Sequence, residues 1–230
     1  MSGPELGDAT WAPPPEAPFA ELARRDPGRL RVGLVTELPL AGAELDPECE
    51  RGAREAAALL EGLGHDVEEI PSPIPSDETL VGVFTALWAG NVAASMLHGQ
   101  MVTGREPSAE NVEPLSLWLW EMGQSIPSPT YIGALATGQA IARGMIATMS
   151  AYDVVVTPAL AQRPVRHAEI DPCADDPAAT FRRAAEFTPY TPPINLTGQP
   201  AVSVPVAQGD DGLPTAAQLI GRPAREDQPP

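Results

Sequence analysis

Leu30-Arg31-Val32-Gly33-Leu34-Val35-Thr36-Glu37 is the run whose reading decides the fold. Four of its eight residues are branched aliphatics, a pattern that fits a strand covered on both faces. Nine residues further on, Asp46-Pro47 has the form of a helix start, with an acidic cap followed by a proline at the first helical position. Ala53, Ala56, Ala57, Leu60 and Leu63 then recur at intervals of three and four, which predicts a helix with one apolar face. Glu50 and Arg54 stand one turn apart on its wet side. Gly62 or Gly64 ends it, and residues 65–70 return as a second strand. A strand–helix–strand unit of this length predicts parallel pairing. The fold class that follows is α/β, a mixed sheet flanked by helices.

Working outward, residues 1–29 read as an irregular, proline-rich lead-in with one short helix near Ala20–Arg25. Three helices are expected downstream of the unit, over residues 77–102, over residues 114–122, and from Ser128-Pro129 onward. The third should cap on Ser128 and bury Tyr131, Leu135, Ala142, Met145, Ile146 and Met149. Residues 152–158 form a strand ending at Pro158, residues 178–186 a short helix, and residues 201–205 and 216–220 the last two strands. Asn195 to Pro200 is expected to be a loop feeding a strand. The domain assignment is a lead-in over 1–29, one folded unit over 30–227 and a tail over 228–230.

Acidic residues outnumber basic ones 31 to 14, for a formal charge of −17. Such a surface repels nucleic acid and anionic membranes, so neither is an expected partner. All 14 basic residues are arginine; the sequence has no lysine. Schiff-base, Ser–Lys and P-loop chemistry therefore cannot arise from within it. Cys49 and Cys173 alone make neither a disulfide scaffold nor a zinc site, and a cytoplasmic location is expected. The N-terminus lacks the basic and apolar regions of a signal peptide, which leaves Asn195-Leu196-Thr197 a chance sequon. Residues 80–104 carry no charge and are long enough to span a bilayer, but Asn91, Ser95, His98 and Gln100 favour a buried helix. His65, His98 and His167 have no ligand spacing, and Gly62-Leu63-Gly64 follows a helix rather than a strand. No metal or cofactor is expected, and no G-x-S-x-G elbow is present.

The last third carries the most specific signal. Tyr152 to Pro158 is followed by Tyr190-Thr191-Pro192-Pro193-Ile194-Asn195-Leu196-Thr197-Gly198-Gln199-Pro200-Ala201-Val202-Ser203-Val204-Pro205. Gly212-Leu213-Pro214 comes next, then Gln218-Leu219-Ile220-Gly221-Arg222-Pro223 with Glu226-Asp227. In order and spacing this series resembles the C-terminal half of the amidase-signature family, over about residues 10–227. One departure is Thr215-Ala216-Ala217, where the family often has a Val-Gly pair.

The resemblance implies amide-bond hydrolysis, in which a serine attacks the carbonyl, a cis-configured serine and a lysine relay its proton, and glycine-rich backbone donors hold the oxyanion. None of those residues can be assigned here, because the motifs that carry them do not occur in this sequence and belong upstream of it in the family. The resemblance further implies a final helix opening at Glu226-Asp227. It also implies that the loop after Pro158, the segment with Thr191 and Asn195, and the helix around Trp88 and Asn91 face the active site. Three functions are compatible with this reading: an amidase C-terminal fragment inactive alone, a non-catalytic binding or assembly subunit that complements a chain carrying the catalytic half, and an unrelated α/β small-molecule-binding module. A small amide substrate is expected only with the catalytic half supplied, and self-association or a complementing chain is the expected protein partner.

Overall fold

The computed structural model describes residues 5–8, 13–76 and 78–225. Asp77, Glu226-Asp227 and the tail over 228–230 lie outside the described residues, so the final helix and the tail do too. A short helix α1 (Phe19–Leu22) precedes β1 (Arg31–Leu34), α2 (Pro47–Gly62) and β2 (Asp66–Glu69). Helices α3 (Glu78–Thr103), α4 (Pro114–Ser125) and α5 (Ser128–Met149) lead to β3 (Val154–Pro158). Helices α6 (Pro177–Phe187) and α7 (Thr191–Thr197) and strands β4 (Ala201–Gln208) and β5 (Pro214–Gly221) complete the order.

The five strands form one sheet in the order β2-β1-β3-β5-β4. β1 pairs parallel with β2 and β3; β5 runs antiparallel to β3 and β4. The mixed α/β sheet is therefore as expected. Asp46 caps α2, its carboxylate accepting from the Glu48 amide at 2.8 Å, and Pro47 fills the first turn. The small residues Ala53, Ala56 and Ala57 let α2 lie close on the sheet, against Val32 and Leu34 of β1, Val154 and Val156 of β3, and Leu219 of β5. Leu63 is a correction: it stands after the helix end and is 68% exposed, because Gly64 at φ +97° turns the chain away.

On the opposite face Val35, Val155 and Ile220 are covered by Met145 and Met149 of α5, Leu80 of α3 and Ile194 of α7. The period of two puts alternate residues of β1, β3 and β5 into two separate cores. Three helix-side expectations change. Ser128 is the first residue of α5 rather than its cap, and Pro127 holds the cap position without a side-chain bond. Leu135 is 40% exposed. The loop expected before β4 is the helix α7, closed by Gly198 at φ +68°.

α3 is apolar all round yet buries only Leu80, Val83, Ala89 and Ala93, so the buried helix expected from residues 80–104 is buried along one stripe only. It is long and apolar enough by composition to cross a membrane. Here its first half packs on the other helices through glycines. A Cβ at Gly90 would sit 2.5 Å from the Tyr131 ring, and one at Gly123 of α4 would overlap the Ala89 carbonyl oxygen.

Candidate functional site

The chain leaves β1 toward β2 with α2 on one face of the sheet, then crosses to β3 with α3 and α5 on the other. Such a reversal opens a crevice beyond the carboxyl ends of the two central strands, the usual ligand position in open α/β sheets. Pro39 and Leu40, which follow β1, stand at this end and form part of a cavity of about 260 Å³. Leu80, Phe84 and Trp88 of α3 line one side of it; Phe181 and Ala185 of α6 and Thr191 and Asn195 of α7 line the other. A second, wider cavity of about 500 Å³ continues along α3 past Asn91 to Met96. The two share Phe84, Trp88 and Asn195.

The four expected site residues thus come together: Trp88, Thr191 and Asn195 at the first cavity, Trp88, Asn91 and Asn195 at the second. The Phe84 and Trp88 rings lie 5.3 Å apart as one aromatic wall. Asn91 donates its side-chain amide to the Leu87 carbonyl at 2.8 Å, which orients it along its own helix. The loop after Pro158 does not join them. It is tied instead to the start of α2 and the end of α6, the Ala161 carbonyl accepting from the Asp46 amide at 2.8 Å and the Ala161 amide donating to the Phe187 carbonyl at 3.2 Å.

Two wall residues were not foreseen. Phe84 stands one helical turn before Trp88, so the spacing on α3 would have found it. Phe181 arrives from α6 and is steadied by Trp118 of α4, with ring centroids 5.8 Å apart; nothing local in the sequence marks it.

Tyr190 anchors α7 behind the cavity. Its side chain is fully buried and its hydroxyl donates to the Thr36 carbonyl at 3.1 Å. Burial, reinforced by Glu50 and Cys49, raises its pKa well above the usual phenol range. Cys49 is pushed up to about 11, first by burial and then by Asp46. A buried thiol held protonated is a packing residue, not a nucleophile.

The residues that carried the resemblance have structural duties. Gln218 donates from Nε2 to Thr157 Oγ1 at 3.2 Å inside the sheet, and Gln199 donates to the Gly221 carbonyl at 2.8 Å. Thr215, in the departing segment, lies against α2, where a Cβ on Gly52 would stand 2.8 Å from its Oγ1. His65 accepts at Nδ1 from the Leu30 amide at 3.2 Å, and His98 and His167 are exposed. Among the described residues no group of three His, Cys, Asp or Glu could hold a metal. A larger depression of about 710 Å³ lies at the far end of β1 and β2, between Arg31, Glu68 and the Arg29–Asp66 ion pair. Exposed ion pairs of this kind mark a solvated surface.

The amidase family model matches residues 1–228. The chain belongs to the amidase family. It is 28% identical over 243 residues to the 6-aminohexanoate-cyclic-dimer hydrolase of Paenarthrobacter ureafaciens, covering 99% of this chain and 47% of that protein. A Synechocystis sp. protein that carries an amidase name is 29% identical over 98% of this chain and 41% of its own length. The solved structure of 6-aminohexanoate cyclic dimer hydrolase complexed with substrate superposes with a TM-score of 0.89 at 26% identity, covering 99% of this chain and 48% of that one. A bacterial aryl acylamidase of the amidase-signature family shares the fold, with a TM-score of 0.75. The chain spans about half the length of the relatives it matches. Family membership removes the unrelated-module reading.

Proposed function

We propose that this chain supplies the C-terminal half of an amide-bond hydrolase: one wall of the substrate site, with the nucleophile and its proton relay coming from the polypeptide that supplies the rest of the fold. One observation carries the proposal. The chain matches nearly all of itself to half of 6-aminohexanoate cyclic dimer hydrolase, and not one of its 230 residues is lysine. A hydroxyl nucleophile needs an unprotonated base within hydrogen-bond reach, an imidazole, a neutral amine or a carboxylate. Arginine stays protonated at any working pH and cannot serve. Among the described residues no histidine, aspartate or glutamate lines either cavity beside Trp88. This half is therefore built to bind and orient, not to abstract a proton. Cys49 and Cys173, both unpaired, support a cytoplasmic, reducing location.

The non-catalytic assembly subunit is the second reading, and the β4 edge favours it. β2, at the other edge, guards its open backbone with Asp66, Glu68 and Glu69, whereas β4 has no charged residue over its whole length. An uncharged edge accepts a further strand.

The test is amine release from aryl and aliphatic amides by the chain alone and by the chain fused to the remaining half of the P. ureafaciens relative. No turnover alone and turnover by the fusion is the expected pair. Turnover by the repurified chain alone overturns the proposal.

A further inference from the structure

We infer that the cavity between α3, α6 and α7 binds the uncharged alkyl or aryl flank of a small amide and rejects the corresponding carboxylate. The word amide rests on the proposed function; the selection for an apolar, neutral group rests on the cavity itself.

Its walls are Phe84, Trp88 and Phe181 with Leu80 and Val81, and among the described residues no charged side chain lines it. The adjoining cavity past Asn91 is likewise free of charged lining, in contrast to the depression at the far end of β1 and β2, which carries Arg29, Arg31, Asp66 and Glu68. At about 260 Å³ the space exceeds an apolar cavity of roughly 150 Å³ that takes benzene, so it admits a phenyl ring or a chain of about six carbons. Thr191 and Asn195 of α7 line it together with Thr85 and Thr188 as its polar residues. A side-chain amide such as that of Asn195 offers one acceptor and two donor hydrogens, the complement of a neutral amide. A carboxylate finds no cation there, and a charge taken from water without a partner is strongly disfavoured. Amide hydrolysis gives a carboxylic acid, ionised at neutral pH, and an amine, which is charged there when aliphatic. The same wall that holds the neutral substrate flank therefore favours release of any product whose new charge falls near it.

The probe is 4-fluoroacetanilide, whose fluorine resonance should broaden on addition of the 230-residue chain. Hexanamide should compete, and hexanoate, identical in chain length, should compete at least tenfold more weakly. Trp88→Ala should abolish the broadening and Trp88→Phe restore it. Ala185→Arg places a cation on the α6 wall and should bring hexanoate to within about threefold of hexanamide. Circular dichroism and a melt identify variants that keep the fold. Absence of broadening at 10-fold molar excess of protein, or equal competition by hexanoate and hexanamide, overturns the inference, as does a folded Ala185→Arg chain that still rejects hexanoate. Turnover of charged amides by the fused enzyme, without binding here, would remove this inference and leave the hydrolase reading standing. Binding without turnover would do the reverse.

Discussion

The Tyr190 hydroxyl hangs from the Thr36 carbonyl at 3.1 Å, so the residue that starts α7 is fastened to the residues that leave β1. One hydrogen bond thereby fixes the distance between the two sides of the cavity that carry Leu40 and Asn195. Tyr190→Phe keeps the buried ring and removes only that bond. A loss of about 1 kcal/mol is expected, about 2–4 °C in melting temperature for a chain of this size. Chemical and thermal unfolding measure it, and an unchanged midpoint would mean that packing alone holds α7.

Glycine has opposite values at two helical positions. Gly123 of α4 touches the Ala89 backbone of α3, and a Cβ there would also stand 2.7 Å from that of Ala93. Gly133 of α5 has nothing within 4 Å of the same position. Gly123→Ala should force α3 and α4 apart and cost about 1–3 kcal/mol. Gly133→Ala should gain about 0.5–1 kcal/mol from helix propensity. Equal effects at the two sites in urea denaturation would contradict this packing.

The first strand–helix–strand unit was legible because its signals are local: a β-rich run, a cap, a three-four repeat and a glycine stop. α7 was not. Thr191-Pro192-Pro193 looks like a strand breaker, yet prolines in the first turn of a helix lose nothing, since amides there lack helical partners. What makes the segment helical is tertiary, the burial of Tyr190 with its hydroxyl on the Thr36 carbonyl and of Ile194 in the core beneath α5. The site shows the same division. Trp88, Asn91, Thr191 and Asn195 were indicated by family resemblance, while Phe181 depends on the packing of α6 against α4.

Cys49 gives the chain an alkaline limit. Its folded pKa of about 11 lies above the ordinary thiol value of 9.0, so folding favours the protonated form. The stability this contributes is fully present below about pH 9 and is lost as pH rises through about 11, a change of roughly 3 kcal/mol. The difference in unfolding free energy between the parent chain and Cys49→Ala, measured from pH 7 to 11, should shrink over that window. The native chain should also titrate one thiol with a disulfide reagent, the exposed Cys173, and two when unfolded. Two reactive thiols in the native state would show Cys49 to be accessible.

The chain on its own should associate, and the two surfaces responsible differ in kind. Met101 and Val102, 83% and 71% exposed at the end of α3, form an apolar face without a charge in the helix after Glu78. β4 presents open backbone donors and acceptors with only Pro205 and the irregular pairing beyond it to discourage a neighbour. Against both stands the net charge of −17, whose repulsion reaches about 30 Å at 0.01 M salt but about 8 Å at 0.15 M. Sedimentation velocity should therefore find monomer at low salt and larger species at physiological salt, with apolar-dye fluorescence rising in the monomer. Met101→Glu with Val102→Glu should lower dye binding, and Val202→Lys should reduce association while leaving dye binding at α3 unchanged. A dye-negative monomer at both salt concentrations, melting in one cooperative step, would show that this half of the amidase fold stands alone and that neither surface asks for a partner.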